Sequence, residues 1–477
     1  MSNLDFRSGA RAFMAAVSLA VLAAACSPQP ADTAATEAAA PAPKPSDDPA
    51  WPQTAIADPT TVGFTAEGLA ALDAAMAKSV ADQDVAGMVT LLAHKGEVVQ
   101  YKAYGVQSGD VAAGTPMTTD SLFRIYSMSK PVTGVAMMQL FEQGKWQLDD
   151  PVTKHAPELA GLKLMTGVDK KGKAILADPM RPPTMREIMT HTAGFGYGLS
   201  GDDPVNEAFR KDGVLVSKDL DEMMAKIAKI PLLYEPGTRW SYSVSVDIQG
   251  YLVQKLSGQT LGAYMKDHIF TPLAMNDTSF YVHEEQKPRF ADVYSWDAKA
   301  AKITVNPERP DRPLFTDPKR MESGGGGLVS TTHDYARFCQ MMLNKGELAG
   351  QRVLKPETID IMTSNHIGDL RLYSDGTTAN PGLPGVGFGM DYAVHTDPAA
   401  AGNPYGAGTY YWGGAAGTWF WIDPKNDLFF IGMIQRMGPA RPDGLEFRGG
   451  SAKLVYAALP GSATPPATPP AAPAGPQ

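Results

Sequence analysis

Ser127-Met128-Ser129-Lys130 sets a hydroxyl and an amine three residues apart. On a helix that spacing puts both side chains on one face. A serine hydroxyl becomes a useful nucleophile only when a base takes its proton and donors receive the charge that follows. A lysine can be that base where burial or a charged neighbour keeps its amine neutral. A helix start adds unpaired backbone N–H groups beside the developing negative charge. The chemistry these parts could do together is acyl transfer. Standing alone, the tetrapeptide also reads as a serine helix cap with a chance lysine.

Two more stretches carry suitable groups. In Glu235-Pro236-Gly237-Thr238-Arg239-Trp240-Ser241-Tyr242-Ser243 a turn presents Tyr242 ahead of a helical pattern, Val246 to Leu256. A phenol near a lysine can pass a proton between serine and leaving group. It can equally be a half-buried aromatic bonded locally. In Tyr411-Trp412-Gly413-Gly414-Ala415-Ala416-Gly417-Thr418 the glycines would let a substrate approach a strand edge. A backbone N–H there could pair with that of Ser127 as an oxyanion hole. A bulged edge strand explains the same residues.

The order of these elements resembles the serine β-lactamase and penicillin-binding protein superfamily, most closely family VIII carboxylesterases and class C β-lactamase-related serine hydrolases. Thr190-His191-Thr192-Ala193-Gly194 and Gly324 to Thr331 (GGGGLVST) are similar to further motifs of that group, and the likeness spans Phe64 to Pro460. The resemblance implies Ser127 as nucleophile, Lys130 as its basic partner and Tyr242 as second proton carrier. It also implies N–H groups of Ser127 and Ala415 as the oxyanion hole, with Trp412, Gly413 and Gly414 on the substrate-binding strand. No metal or organic cofactor is called for.

Two departures tilt the expected substrate. Val244 stands where class C enzymes have asparagine, and Trp412-Gly413-Gly414 where they have Lys-Thr-Gly. Each charge-assisted hydrogen bond lost is worth about 1.5–3 kcal/mol, so recognition of anionic lactams should be weak. A tryptophan suits an apolar acyl or alcohol group. Hydrolysis of short-chain carboxylic esters is therefore expected, with β-lactam or D-amino-acid peptide hydrolysis, or binding without turnover, as alternatives. His191 is expected to be structural, with both ring nitrogens satisfied. No G-x-S-x-G elbow occurs, and His283-Glu284-Glu285 lacks the second histidine of a zinc helix.

The elements that must position these groups follow from periodicity. Ala66 to Gln83 has helical spacing, then Gly87 to His94 and Val98 to Gly105 read as a hairpin turning at Lys95-Gly96. Thr409 to Trp412, Thr418 to Asp423 and Leu428 to Gln435 read as strands, and Ser451 to Ala458 as a closing helix. The two ends together predict an α+β fold: one antiparallel sheet flanked by helices. The mainly helical stretch between, about 118–350, would form a second lobe, with the site in the groove. The apolar run 134–143 belongs to a buried helix whose first turn tolerates Pro131.

Across 477 residues, 44% are hydrophobic and 19% charged, enough for a large core. A net charge of −9 and the lack of a basic cluster argue against nucleic acid as partner. Residues 1–25 read as a signal peptide of lipoprotein type: Arg7 and Arg11, an uncharged stretch, then Ala23-Ala24-Ala25-Cys26. Cys26 would carry the lipid and hold the protein on a membrane of the bacterial envelope, facing the periplasm; soluble export is the alternative. Residues 26–53 read as an Ala/Pro-rich tether, 54–460 as the hydrolase domain and 461–477 as a disordered tail. Cys339 falls in a helical apolar pattern and reads as a buried, inert thiol.

Overall fold

The computed structural model describes residues 46–461, apart from 47, 49, 53, 54, 57, 308–311, 374–380, 439, 440 and 442. The chain divides into two units, Met1–Pro43 and Lys44–Gln477, and the described residues fall in the second. The stretch expected to be a signal peptide, Cys26, most of the expected tether and the tail beyond Gly461 lie outside them.

An eight-stranded sheet organises this unit. Its strands are β1 (Gly87–His94), β2 (Glu97–Ser108), β3 (Thr115–Pro116), β4 (Val386–Phe388), β5 (Ala393–His395), β6 (Tyr410–Gly413), β7 (Trp419–Asp423) and β8 (Leu428–Met433), in the order β4-β5-β6-β7-β8-β1-β2-β3. The ends of the chain meet where β1 runs antiparallel to β8, from Val89 opposite Met433 to His94 opposite Leu428. Lys95 and Gly96 both take positive φ, the twist that a two-residue hairpin turn requires.

Alternation along β7 shows how the layers stack. Trp419 lies on Phe447 and Trp421 on Tyr456, both from α5 (Phe447–Ala458), with ring centroids 5.2 and 5.9 Å apart. Phe420 points the other way, 5.2 Å from Tyr335 of α4 (Thr332–Leu343). The first helix, α1 (Ala66–Ala81), is capped by Thr65 and packs with α5. α2 (Ser129–Glu142), buried from Ser129 to Leu140, packs with α3 (Ser245–Ser257). This is the α+β arrangement expected from the sequence.

Some boundaries differ. The α-helix begins at Ser129, two residues after Ser127, because Tyr126–Met128 form a 3-10 turn first. Pro131 still falls in its first turn. The closing helix starts four residues early, at Phe447, where the Glu446 side chain caps two backbone N–H groups. Trp51, assigned to the tether by composition, is buried edge-on against Phe429 at 6.2 Å, and its carbonyl accepts from Arg337. Packing thus begins before residue 54. Cys339 is buried in α4, and burial pushes its thiol well above the usual range, as an inert thiol requires.

Candidate active site

Ser127 sits in the tight turn between strand residues Leu122–Arg124 and α2. The preceding Tyr126 has φ of +41°, a strained value for a non-glycine residue. Leu122–Arg124 pair with Val329–Thr331, so the glycine run just before that strand is drawn against the serine turn. Leu328 N–H donates to Ser129 Oγ at 3.1 Å, and Ile125 N–H to the Leu328 carbonyl at 3.1 Å.

Lys130 is 1% exposed. Its Nζ donates to Ser127 Oγ at 3.2 Å, to Tyr197 OH at 3.0 Å and to the Gly325 carbonyl at 2.6 Å. From the far side Tyr242 OH donates to Ser127 Oγ at 2.7 Å. Lys130 Nζ also lies over the faces of Tyr242 and Tyr197, 4.7 and 5.2 Å from the ring centroids. The three expected groups therefore meet at one oxygen.

Tyr242 owes its place to the stretch around His191. Ser241 N–H donates to the His191 carbonyl at 2.8 Å, Ser243 N–H to His191 Nδ1 at 3.3 Å, and Val244 N–H to the Gly196 carbonyl at 3.1 Å. The phenol ring is walled by His191, Tyr197, Trp412 and Trp240, at 4.9, 5.3, 5.6 and 6.2 Å. His191 is structural, but only half satisfied: Nδ1 meets Ser243 Oγ at 3.0 Å, while Nε2 is buried without a hydrogen-bond partner. Its ring packs edge-on against Trp240 and Phe388 and tilted against Tyr242. Burial, then the charge of Lys130, holds its pKa well below the usual histidine value, so the ring is neutral.

The sequence reading missed Tyr197, Asp247 and the Gly325 carbonyl. Burial, then Asp247 and Tyr242, push the Tyr197 phenol well above its ordinary pKa. Asp247, fully buried on α3, accepts from Gly325 N–H at 3.1 Å and from Ser323 Oγ. A side chain at Gly325 would collide with Asp247 Oδ2 and crowd Tyr197 OH, so glycine is required there. The glycine run, similar to a motif of the group, was the only sequence signal; that its carbonyl holds Lys130 needs the tertiary structure.

The strand carrying Trp412 calls for a correction. Its glycines were expected to admit substrate and its tryptophan to floor an acyl group. Gly414 instead admits the Ile125 backbone: a Cβ there would overlap the Ile125 carbonyl and Thr418 Oγ1. Trp412 is buried against Tyr242 and Phe388, and neither it nor Gly413 nor Gly414 is among the residues lining the cavity at Ser127. Strand alternation turns Trp412 into the core, where it braces the catalytic-candidate phenol. Ala415 does line that cavity, together with Ser127. Val244 is wholly buried, and its aliphatic side chain offers no hydrogen bond in place of the class C asparagine's amide.

The cavity has a volume of about 420 Å³, and Ser127, Tyr197, Gly325, Gly326 and Ala415 belong to its wall. Among the described residues no group of three or more His, Cys, Asp or Glu could hold a metal ion. A buried amine and a phenol on one hydroxyl, beside a cleft, form a proton-transfer centre around a nucleophile.

A family model for Beta-lactamase matches residues 72–450. The chain belongs to that family. Within it, the chain is 35% identical over 357 residues to Protein Rv1367c of Mycobacterium tuberculosis, covering 74% of this chain and 86% of that one. It is 33% identical over 383 residues to Esterase EstB of Burkholderia gladioli, covering 76% and 90%. Among solved structures, EstCE1, "a hydrolase with promiscuous acyltransferase activity", superposes with a TM-score of 0.67 at 26% identity, covering 82% of this chain and 99% of that one. Beta-lactamase family membership and the fold agree with the expected superfamily.

Proposed function

We propose that this member of the beta-lactamase family is a serine carboxylesterase that works through an acyl-enzyme on Ser127. One observation carries the reading: Lys130 Nζ and Tyr242 OH both reach Ser127 Oγ, at 3.2 and 2.7 Å. Ser127 Oγ attacks the ester carbonyl carbon while its proton leaves along the contact to Lys130. The carbonyl oxygen becomes an oxyanion facing the backbone N–H groups of Ser127 and Ala415. As the C–O bond to the alcohol breaks, Tyr242 delivers a proton to the departing oxygen and is reprotonated from Lys130. Water then enters by the same route in reverse, the acid leaves and Ser127 is restored. Esterase and hydrolase names among the similar proteins support ester over amide substrates. So does the lack of an amide at Val244 and of a lysine cation at Trp412, where the class C pattern has asparagine and Lys-Thr-Gly.

The test uses a fluorophosphonate probe and a short p-nitrophenyl ester with wild type and Ser127→Ala. Labelling and hydrolysis should both vanish in the variant. Persistence of either, or their absence from wild type, would sink the assignment, and fast nitrocefin turnover with slow ester turnover would reverse the choice of substrate.

We also propose export to the bacterial envelope with a lipid on Cys26, on the strength of the Ala-Ala-Ala-Cys run after a charged, then apolar, N-terminus. Alkyne fatty-acid labelling of cells checks this; incorporation that survives Cys26→Ala rules the anchor out.

A further inference from the structure

We infer that Asp247 is a positioning residue that turns the Tyr197 proton away from Lys130, leaving the amine's lone pair for Ser127. The inference rests on the serine-hydrolase reading above and adds a residue to its machinery. Lys130 Nζ meets three oxygens: Ser127 Oγ, Tyr197 OH and the Gly325 carbonyl, at 3.2, 3.0 and 2.6 Å. An ammonium satisfies all three with its three N–H groups. The neutral amine that takes the serine proton has two N–H groups and one lone pair. The Gly325 carbonyl only accepts, so one N–H stays on it; the Tyr197 hydroxyl can accept or donate. Were it to donate, its proton would occupy the lone pair and Ser127 would face an N–H. For base catalysis the phenol must accept from Lys130 and send its own proton elsewhere.

Asp247, fully buried on α3, offers that destination. Its Oδ1 accepts from Ser323 Oγ and, at 3.1 Å, from the Gly325 N–H. Its Oδ2 is buried with no donor in ordinary hydrogen-bond geometry. The Tyr197 hydroxyl faces this oxygen across the space that a Gly325 side chain would fill, since a Cβ there would collide with Oδ2 and crowd the phenol oxygen. Burial, then the charges of Asp247 and Tyr242, raise the pKa of that phenol, and hydrogen bonding to Asp247 adds to the rise. A carboxylate accepts only. The phenol therefore gives its proton's direction to Asp247 and keeps a lone pair for Lys130. The same carboxylate holds the Gly325 peptide whose carbonyl takes the other N–H. One side chain thus sets two of the three contacts of the amine.

Kinetics of the full chain on a short p-nitrophenyl ester test this through a double variant. Asp247→Asn keeps an Oδ1 for Ser323 and Gly325, and those two donors hold the amide so that its NH2 group replaces Oδ2. Tyr197 must then accept from the amide and turn its proton onto Lys130. The expected result is a fall in kcat of about 10²-fold, the lower end of what a positioned base is worth, with KM little changed. Adding Tyr197→Phe removes the obstructing proton, so the double variant should recover to within about tenfold of wild type. A carboxylate that only anchors the glycine run would give a double variant no faster than Asp247→Asn alone. Should melting curves show Asp247→Asn unfolded, Tyr197→4-aminophenylalanine leaves the carboxylate in place and aims a second N–H at Lys130; it should be slower than Tyr197→Phe. Three outcomes overturn the inference and leave the hydrolase reading standing: no rescue in the double variant, full activity of Asp247→Asn, or an aminophenylalanine variant as fast as Tyr197→Phe. Absence of Ser127-dependent turnover in the wild type overturns both.

Discussion

Two phenols approach Lys130, and their surroundings divide the work between them. Tyr197 OH is 3.0 Å from the amine, yet burial and Asp247 hold its pKa far above the ordinary value, so it keeps its proton. It can orient Lys130 but cannot relay. Tyr242 touches the serine oxygen itself and is only half-buried, open to a leaving group. Tyr242→Phe should therefore lower kcat for a p-nitrophenyl ester by about 10²–10⁴-fold, the usual worth of a positioned acid or base. Tyr197→Phe should cost about tenfold or less, since it removes one bond of a lysine still held by Gly325 and Ser127. Equal losses in steady-state assays of the two variants would show that the relay has been given to the wrong phenol. Tyr197 was not legible in the sequence because Phe195-Gly196-Tyr197 matches no spacing rule; its role comes from a lysine 67 positions earlier in the chain.

At the scale of elements, the parts with a period were readable and the parts without one were not. β1, with eight buried residues between turn signals, was placed to the residue, and β6, β7 and β8 to within two. β4 and β5 have three residues each, too few to show alternation, and they join the sheet only through β6. The Trp412 strand was recognised but its side-chain direction was misjudged, since periodicity says which residues share a face and not which face is wet. Gly414 tests the corrected reading. Its missing side chain lets β6 press on the Ile125 backbone, two residues before the nucleophile. Gly414→Ala must push that backbone or its own strand aside, a cost of about 1–3 kcal/mol in stability. It should also lower kcat at least tenfold, because Ser127 and Ala415 move relative to each other. Gly413→Ala meets a flexible Arg448 fork at 3.0 Å, along with the Thr418 carbonyl at 3.0 Å, and should be milder in both. Melting curves and ester kinetics on the two variants decide; a fully active Gly414→Ala would mean the close approach does not hold the site.

The whole molecule carries a pH dependence that no single element reveals. Burial depresses His94, His191, His366 and His395, and for His395 burial and then Arg448 bring the pKa from 6.5 to about 4. Unfolded, each histidine takes up a proton below about pH 6.5; folded, His395 waits until about 4. Between those values the unfolded chain binds more protons, so stability falls as pH drops through that window. For His395 alone the full loss is about 3 kcal/mol. Asp391 acts in the opposite sense. Burial raises its carboxyl well above 3.8, so the folded state holds a proton there that the unfolded state releases, and acid favours folding at that position. Asp150, held at about 2 against desolvation by Lys154, His155 and the Gln147 N–H, loses its contribution only below 3.8, outside the window. Denaturant melts between pH 7 and 4.5 should therefore show a steady fall in unfolding free energy. His395→Gln, which cannot take up the proton, should flatten that fall by about 2 kcal/mol or more over this range. Superimposable pH profiles for wild type and His395→Gln would mean that this ring is hydrated and titrates normally.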